Sequence, residues 1–568
     1  MILLWMGCAV FAAVCGLSLF LARVAEGNMK RSLHQSLYEH TAYVRYMRDK
    51  HDLNGLGFPQ QLTRHMGGLS SFGLSFSSLP LIGGAVFLLG PAIASGGPAV
   101  IGFGWPVLGL FGLLTACSVA AFASAVPTAG GCYHWALASG GRRSGLWSGW
   151  LHLAGSGAML ITMNLWLADW MCRNIERRLG YTGGTGLFYV VLVMLFVTQA
   201  AVNARAFRSL GRLHFWTAGV QLLLFVAILA ILAAVAWPGE YPFQILTYTA
   251  MEWNPLQGAA GSDAWWFLGL MLLQRMFLGI GEGAQSGEET RDPRITVPWS
   301  IYLSSAALAI FGFILFAFIA VHAKTGAEGL TALPGIGDWL VVVWERWGAA
   351  CSVLFFVLVA LLAWANGAST MGSASRTLFA MARDESVPAA GKLAAVSEQY
   401  RSPVNSLLTV TIGTGGIALL LAIAASPASL QALIVQLILI SIAAMHAAYA
   451  IPISGKLREA YSTVRGIRGQ PRSRKRNKLN GPWALGKYGT GIDTVTACWL
   501  GGSGLLAVVL LNPIALIAVA ACLLGGAVVI ERTQRSLRRK TPVKIVGSMR
   551  FSRRTIDECI RIERKFPQ

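Results

Sequence analysis

The sequence predicts an all-α integral membrane protein, and three observations support that fold class. Of its 568 residues, 55% are hydrophobic and only 12% are charged, whereas about a quarter of an ordinary soluble domain is charged. The apolar residues fall into stretches of roughly 20, the length at which a helix crosses a hydrocarbon core of about 30 Å. The Lys and Arg residues are concentrated in the segments that connect these stretches. We therefore expect one membrane-embedded bundle and not several soluble domains.

Thirteen apolar stretches are long enough to span the membrane. They are 2–22, 73–94, 101–126, 146–171, 187–204, 215–237, 265–287, 299–322, 339–379, 403–424, 430–453, 495–511 and 513–530. The first stretch lacks the basic start of a cleaved signal, which favours a retained helix. We expect an extra N-terminal transmembrane helix (1–23), a cytoplasmic N-terminal segment with an amphipathic lead-in (24–68), a membrane core (69–531) and a basic cytoplasmic tail (532–568).

The basic residues set the predicted orientation, because cytoplasmic connections carry the Lys and Arg excess. If the segment after the first helix is inside, the inside connections hold nearly every basic cluster, including the run 472–478. One connection dissents, because Arg173, Arg177 and Arg178 fall outside. The formal charge of +21 thus indicates contact with lipid head groups and not with nucleic acid. Nine single cysteines without a C-x-x-C pattern suggest neither a metal site nor disulfides, and no cofactor is expected.

Two of the predicted spans are interrupted by glycine. The first span of the core reads S-S-L-P-L-I-G-G-A over 77–85, and the sixth reads G-I-G-E-G over 279–283. The candidate site residues in these stretches are Gly83, Gly84, Ala85, Gly279, Gly281 and Gly283. A five-plus-five inverted repeat makes the first and sixth helices equivalent, and paired broken helices are typical of a substrate site at the membrane midplane. Unwound backbone offers N–H groups to a carboxylate and C=O groups to an amine or cation. The alternative is close helix packing by small residues.

Charged residues inside a span are costly and therefore informative. Arg275 and Glu282 lie seven residues apart in the sixth span of the core, which places them on one helix face. Arg275 suits a substrate carboxylate, while Glu282 suits a proton or a substrate amine. The alternative is an internal ion pair between the two, or a place for Glu282 at the cytoplasmic rim. Asp169 and His214 are interpreted as structural residues near span ends.

The eighth span of the core ends in a cluster of hydroxyl and amide oxygens, among them Asn366, Ser369 and Thr370. Such oxygens suit a hard cation, and they are equally suited to hydrogen bonds between helices. The three residues are therefore candidates for binding a coupling ion. No residue is a candidate for catalysis.

The chain resembles the amino acid-polyamine-organocation permeases, and within them the amino acid and choline transporter group. The residues that carry the resemblance are 53–62 with Arg64, 75–77 with Gly84, 96–98 with 104–105, P-T-A-G-G at 127–131 with Tyr133 and Trp135, 288–290 with Pro293 and Pro298, and 375–376 with 382–384 and Pro388. Together these segments cover roughly 53–530. The resemblance implies a twelve-helix fold with an inverted repeat, substrate held by the first and sixth helices, and alternating access.

The chain also departs from the pattern that it resembles. Ala121 replaces the acidic residue usual in the second helix, and Gly281 takes the acidic or polar position in the sixth, with Glu282 next to it. The fifth span lacks the internal Lys of some proton-coupled relatives, so the coupling ion stays open between a proton, sodium and exchange.

The resemblance and the residues together suggest a multi-pass permease for an amino acid, a γ-aminobutyrate-like compound or a quaternary amine. Its expected location is the plasma membrane (cell inner membrane). Its partners would be that small molecule, a co-transported proton or sodium ion, and the lipid bilayer. One alternative is a membrane enzyme such as a lipid or glycan transferase, which should cluster Asp, His or Lys at a membrane face. Another is a transporter-like nutrient sensor, which binds substrate without flux.

Overall fold

The computed structural model describes residues 2–33, 42–180, 183–205, 207–249, 264–323, 336–425, 427–464, 479, 481–538 and 553–564. Within these ranges the chain forms helices and no strand, and thirteen helices are long and apolar enough to cross a membrane. The predicted fold class, an all-α membrane protein, is confirmed. The predicted basic run 472–478 lies outside the described residues.

The membrane-spanning helices, in chain order with the shorter helices between them, have the following bounds. They are α1 (Ile2–Leu33), α2 (Ala42–Gly55), α3 (Gly68–Gly96), α4 (Val100–Ala125), α5 (Cys132–Gly140), α6 (Arg142–Leu179), α7 (Gly184–Arg205), α8 (Phe207–Ala236), α9 (Trp266–Glu289), α10 (Pro293–His322), α11 (Ile336–Glu345), α12 (Ala349–Arg383), α13 (Val404–Ala424), α14 (Pro427–Val464), α15 (Gly489–Val509), α16 (Pro513–Arg538) and α17 (Arg553–Glu563). The helices α2, α5, α11 and α17 are too short to span.

The predicted span 339–379 is wrong at its beginning. The structure divides it into the short helix α11 and the span α12, which begins at Ala349. Gly348 separates them with a φ of 105°, a backbone conformation that glycine adopts without steric cost. Apolar residues on both sides of the junction conceal it from a hydropathy pattern.

The first helix packs along the outside of the core. The Tyr302 hydroxyl of α10 donates to the Ser18 carbonyl, and Phe11 stacks on Phe313 with 4.3 Å between ring centroids. At Gly7 a side chain would overlap the Gly102 carbonyl of α4, so glycine permits close contact there. The helix continues beyond residue 23 to Leu33, where Asn28 Nδ2 donates to the Ala484 carbonyl at 2.9 Å.

The helices α3 and α9 lie side by side and run in opposite directions. At one end the backbone N–H groups of His65 and Met66, just before α3, donate to the carbonyl of Glu289, the last residue of α9. At the other end a Cβ on Gly269 would lie 2.7 Å from the Ala92 carbonyl oxygen. This antiparallel pair is the arrangement that an inverted repeat requires of its first and sixth helices.

Two short segments cover one end of the bundle, which we call the inner end because the predicted orientation would place it in the cytoplasm. The lead-in after α2 is fixed by Arg64, whose Nη1 donates to the Thr290 carbonyl at 2.7 Å. The tail helix α17 contacts the same lead-in, because Glu563 accepts from the Gln60 N–H at 2.9 Å and pairs with Lys50 Nζ at 2.7 Å. The N-terminal segment and the described tail helix therefore lie on one side of the protein.

Candidate functional site

The interruption of α3 lies at 78–80, just before the predicted glycines. The helix stops after Ser77 and resumes at Leu81, because Pro80 has no N–H to continue the helical ladder. Asn366 Nδ2 of α12 donates to both the Ser77 and the Ser78 carbonyls at 3.0 Å. Gln221 of α8 accepts from the Leu81 N–H at 3.1 Å. Two amide side chains from other helices thus satisfy the backbone groups that the interruption releases.

The residues Gly83, Gly84 and Ala85 are buried within the continuing helix, where Gly84 begins a single wider turn, Gly84–Leu88. A side chain at Gly84 would overlap the thioether of Met276 on α9. Gly84 therefore lies at the contact between α3 and α9, whereas a Cβ on Gly83 would face Pro80 and Met163 of α6. Glycine permits the approach, while proline and the two neighbouring serines determine where the helix breaks.

The sixth helix of the core is irregular over most of its inner half. From Arg275 to Glu289 its hydrogen bonds follow the tighter 3₁₀ pattern, which is uncommon over such a length. A Cβ on Gly279 would overlap the Ser78 carbonyl, and one on Gly283 would overlap the Ser75 hydroxyl. Gly281 faces another direction, toward the Tyr449 hydroxyl of α14. The three glycines therefore bring the backbone of α9 against the interruption of α3 and against Tyr449.

The two charged residues in the middle of α9 are buried. Arg275 is 3% exposed and Glu282 is 2% exposed, yet within the described chain they form no ion pair with each other at 4.0 Å or less. Arg275 Nη1 and both carboxylate oxygens of Glu282 have no hydrogen-bond partner there. The internal pair that the sequence left open is absent from this conformation.

The hydroxyls of the candidate ion-coupling residues lie close to Glu282 and to the interruption of α3. The Ser369 hydroxyl is 2.6 Å from that of Ser78, and the Thr370 hydroxyl donates to the Asn366 carbonyl at 3.1 Å. The structure thus brings the oxygen cluster of α12 together with Glu282 at one place.

Several further polar atoms around α3 and α9 are buried without a partner. Nearly all buried polar atoms of a protein are hydrogen-bonded, so a local group of exceptions indicates a place for ligand or water. The atoms without a partner are Ser75 Oγ, Asn203 Oδ1, Gln274 Oε1, Asn366 Oδ1, Tyr449 OH and the two ring nitrogens of His214. The sequence did not single out Tyr449, because an aromatic side chain is ordinary in an apolar span.

A narrow cavity leads from this region toward the inner end of the bundle. Glu282 and Ser369 line its deep part, and Met66 and Arg376 line the part near the inner end. His214, interpreted from the sequence as structural, also lines it. The cavity has room for about one water molecule, so the conformation is closed to a substrate on this side.

Two buried ion pairs close the inner end, and we call them the inner ion pairs. Arg383 donates through Nη2 and Nη1 to the two carboxylate oxygens of Glu288, at 2.8 and 3.0 Å. Arg376 donates through Nε and Nη2 to those of Glu289, at 2.6 and 3.1 Å. Glu288 also accepts from the Ala129 N–H at 2.9 Å. Such bidentate pairs are strong and directional, and these two join the end of α9 to α12.

A second group of ion pairs lies at the opposite end of the bundle, which we call the outer end. Arg173 of α6 lies 3.1 Å from Asp169 and 3.6 Å from Asp338 of the short helix α11, measured between Nη and Oδ atoms. Asn174 Nδ2 also donates to Asp338 at 3.0 Å. The dissenting basic residues of the predicted orientation thus have local partners, because Arg177 lies 3.8 Å from Glu345 and Arg178 donates to Ser352 at 2.6 Å.

Comparison with known proteins places this geometry in context. A sequence profile described as amino acid permease matches residues 66–551. The chain is 25% identical over 471 residues to amino-acid permease BAT1 of Arabidopsis thaliana, covering 79% of this chain and 86% of the relative. It is 25% identical to amino-acid permease BAT1 homolog of Oryza sativa subsp. japonica, covering 79% and 85%. It is 23% identical to GABA-specific permease of Saccharomyces cerevisiae, covering 64% and 65%.

Proposed function

Since the chain belongs to the amino acid permease family, and is therefore a multi-pass membrane transporter of amino acids, we propose that its substrate binds between the interrupted helices α3 and α9. The observation that carries the proposal is the antiparallel contact of these helices, with partnerless buried polar atoms grouped beside it. Interrupted helices at the midplane are tolerated where they line a cavity.

Within this site, Arg275 is the proposed contact for a substrate carboxylate. A guanidinium keeps its charge and presents a fork of donors that fits a carboxylate. The Tyr449 hydroxyl, which faces Gly281, is a second polar contact available to substrate. Gly83, Gly84 and Ala85, together with Gly279, Gly281 and Gly283, form the proposed backbone wall of the site.

Transport requires that the inner and outer ion pairs open in alternation. Each group of ion pairs connects two helices. The inner pairs join α9 to α12, and the outer pair joins α6 to α11. Both are formed in this structure, which supports an occluded intermediate between the two open states. The proposed membrane is the plasma membrane.

The proposed substrate is an amino acid, a γ-aminobutyrate-like compound or a quaternary amine. The printed names of the relatives, which include amino-acid permeases and a GABA-specific permease, support the first two classes. A transporter-like sensor is the second candidate, because it would use the same site without flux. No observation on the described residues favours an enzyme.

Counterflow in proteoliposomes tests this function, because it needs no knowledge of the driving ion. Purified protein is reconstituted with unlabelled compound inside, and labelled amino acids, γ-aminobutyrate and choline are supplied outside. We expect uptake of at least one of these compounds, inhibited by excess unlabelled compound outside. Binding without counterflow, measured as a substrate-dependent rise in Tm, would instead identify a sensor. If no compound of the panel shows either binding or flux, the proposal is contradicted.

A further inference from the structure

Glu282 occupies an unusual chemical environment in the wall of the inner cavity. The side chain is 2% exposed and neither carboxylate oxygen has a hydrogen-bond partner. Its neighbours include the hydroxyls of Ser78, Ser369 and Thr370. A buried charge without a partner is costly, so this carboxyl requires either a proton or a cation.

Each of these hydroxyls has a hydrogen-bond partner other than the carboxyl. Ser78 donates to the Leu74 carbonyl at 2.9 Å, and its oxygen lies 2.6 Å from that of Ser369. Thr370 donates to the Asn366 carbonyl at 3.1 Å. A hydroxyl that donates to such a partner can accept a hydrogen bond from a protonated carboxyl, and after rotation it can donate to the carboxylate instead. The three hydroxyls therefore suit a carboxyl that gains and loses a proton.

A hard cation fits the same place poorly. Cations such as sodium need several oxygens that converge on one point. The carbonyls released by the interruption of α3 are the natural ligands, but Asn366 Nδ2 donates to those of both Ser77 and Ser78 at 3.0 Å. The Ser78 and Ser369 hydroxyls are bonded to each other. The carbonyls and hydroxyls nearest the interruption are thus already hydrogen-bonded to protein groups, which favours a proton over a cation at Glu282.

From this geometry we infer that Glu282 carries the proton that moves together with the substrate. The inference rests on the proposed function, because it names the ion coupled to that transport. On the inner side the O–H bond of Glu282 breaks and the proton passes to water in the cavity. The carboxylate that remains is stabilised by nearby positive charge until it is protonated again from the outer side.

Four titratable or charged groups lie near Glu282, one on its own helix and three on surrounding helices. Arg275 lies on the same helix and Tyr449 on α14. His214 of α8 and Arg376 of α12 line the cavity. Arg376 is held by Glu289, which leaves Arg275 as the nearest uncommitted countercharge. The protonation of the Glu282 carboxyl therefore depends on the charge of Arg275, and a variant of Arg275 is needed beside that of Glu282.

The experiment measures proton movement and substrate counterflow on the same proteoliposomes. A trapped pH-sensitive dye reports proton entry after addition of the twenty amino acids, γ-aminobutyrate and choline, each in turn. The labelled compound with the fastest wild-type counterflow is then tested for accumulation under an inward proton gradient. Glu282→Gln keeps the size of the side chain and removes the proton site. Glu531→Gln, an exposed glutamate that pairs with Arg535, is the matched control.

We expect wild type and Glu531→Gln to admit protons with substrate and to accumulate it. A gradient of one pH unit supports roughly tenfold accumulation for one proton per substrate. In Glu282→Gln, the accumulation ratio should fall about tenfold, to about one, while counterflow continues, and substrate-dependent proton entry should vanish. The double variant with Arg275→Gln should remain uncoupled. Proton-driven accumulation that persists in Glu282→Gln would overturn the inference, as would wild-type accumulation driven by sodium alone.

Two outcomes separate this inference from the proposed function. Wild-type counterflow without proton entry contradicts the role of Glu282 and leaves the transporter intact, whereas absence of counterflow contradicts the proposed function itself. If Glu282→Gln does not fold, infrared difference spectra of the wild type supply the second measurement. Substrate addition should change the carbonyl-stretch band of a protonated carboxyl, and this change should persist in Glu531→Gln. No change in that band would overturn the inference.

Discussion

The role of Arg275 depends on whether its guanidinium pairs with Glu282 or with a substrate carboxylate. It is 3% exposed, forms no ion pair with Glu282 in this conformation, and Nη1 has no hydrogen-bond partner in the described chain. A buried guanidinium cannot shed its charge. The residue therefore has a free donor at the depth where a substrate carboxylate is expected.

The prediction for Arg275 concerns substrate choice. Arg275→Gln should fold and should lose carboxylate substrates more than choline, because a charge-assisted hydrogen bond contributes about 1.5–3 kcal/mol, or roughly 10- to 150-fold in affinity. Competition of each compound against labelled substrate in proteoliposomes measures the ratio. Arg143→Gln, an exposed arginine, is the control. Equal loss of both substrate classes, low thermal stability and rescue by Glu282→Gln would instead show a structural ion pair.

At the scale of elements, the contact between α3 and α9 depends on small residues on one face of α9. A Cβ on Gly279 would overlap backbone, the Ser78 carbonyl, whereas one on Gly84 would overlap only the flexible Met276 side chain. The same substitution should therefore have different costs at the two positions, because a side chain changes rotamer and a backbone carbonyl does not.

The prediction for these glycines compares three alanine variants. Gly279→Ala should separate α3 from α9 and reduce counterflow strongly, with a stability loss of about 1–3 kcal/mol from overpacking. Gly84→Ala should lose less than Gly279→Ala. Gly413→Ala, where nothing lies within 4 Å of the new Cβ, is the control and should match wild type. Counterflow and Tm are measured for all three. Equal activity of Gly279→Ala and Gly413→Ala would exclude a close α3–α9 contact from the mechanism.

The inner ion pairs are the second feature at this scale. Glu289 is 0% and Arg376 is 7% exposed, so both charges are removed from water and each depends on the other. Removing one partner of a buried pair costs about 3–5 kcal/mol, whereas an exposed pair contributes about 0–1 kcal/mol.

The prediction for the inner ion pairs follows from that contrast. Glu289→Gln should lower Tm clearly, because it leaves Arg376 without its carboxylate partner. Glu531→Gln, which removes the exposed pair with Arg535, should change Tm little. Unfolding of the purified variants in one detergent provides the comparison. Similar Tm values for the two variants would show that the Glu289–Arg376 pair does not hold the inner end closed.

For the whole molecule, the sequence predicted the thirteen spans because lipid demands long apolar helices and hydropathy reports that demand directly. It predicted two interrupted helices, and the break in α3 lies within the predicted stretch 77–85, at Pro80 and not at the glycines. Glycine patterns show where helices approach each other as readily as where they unwind. A single sequence does not distinguish the two uses.

The parts of the site that sequence did not predict are contacts between residues far apart in the chain. Gln221 and Asn366 satisfy the interruption of α3 from 140 and 288 residues away, and Tyr449 faces Gly281 from α14. Arg376 and Glu289 both appeared in motifs, but only packing brings them together as an ion pair. Gln221 and Tyr449 have no local signal, because an amide or a tyrosine in a span looks like any other packing residue, and the role of Asn366 at the interruption of α3 needs the packed structure.

The central claim is that a single site between α3 and α9 is closed from both ends and opens to each side in turn. A cysteine at Ser373, which lines the inner cavity and is 3% exposed, tests it most directly in a variant without the nine native cysteines. The measured quantity is the rate of labelling by an impermeant thiol reagent applied from the inner side. Counterflow with the best substrate should raise that rate, while Gly391→Cys, at an exposed position in the connection between α12 and α13, should react equally with and without substrate. A labelling rate at residue 373 that is unchanged by substrate, in vesicles that show counterflow, would contradict the account.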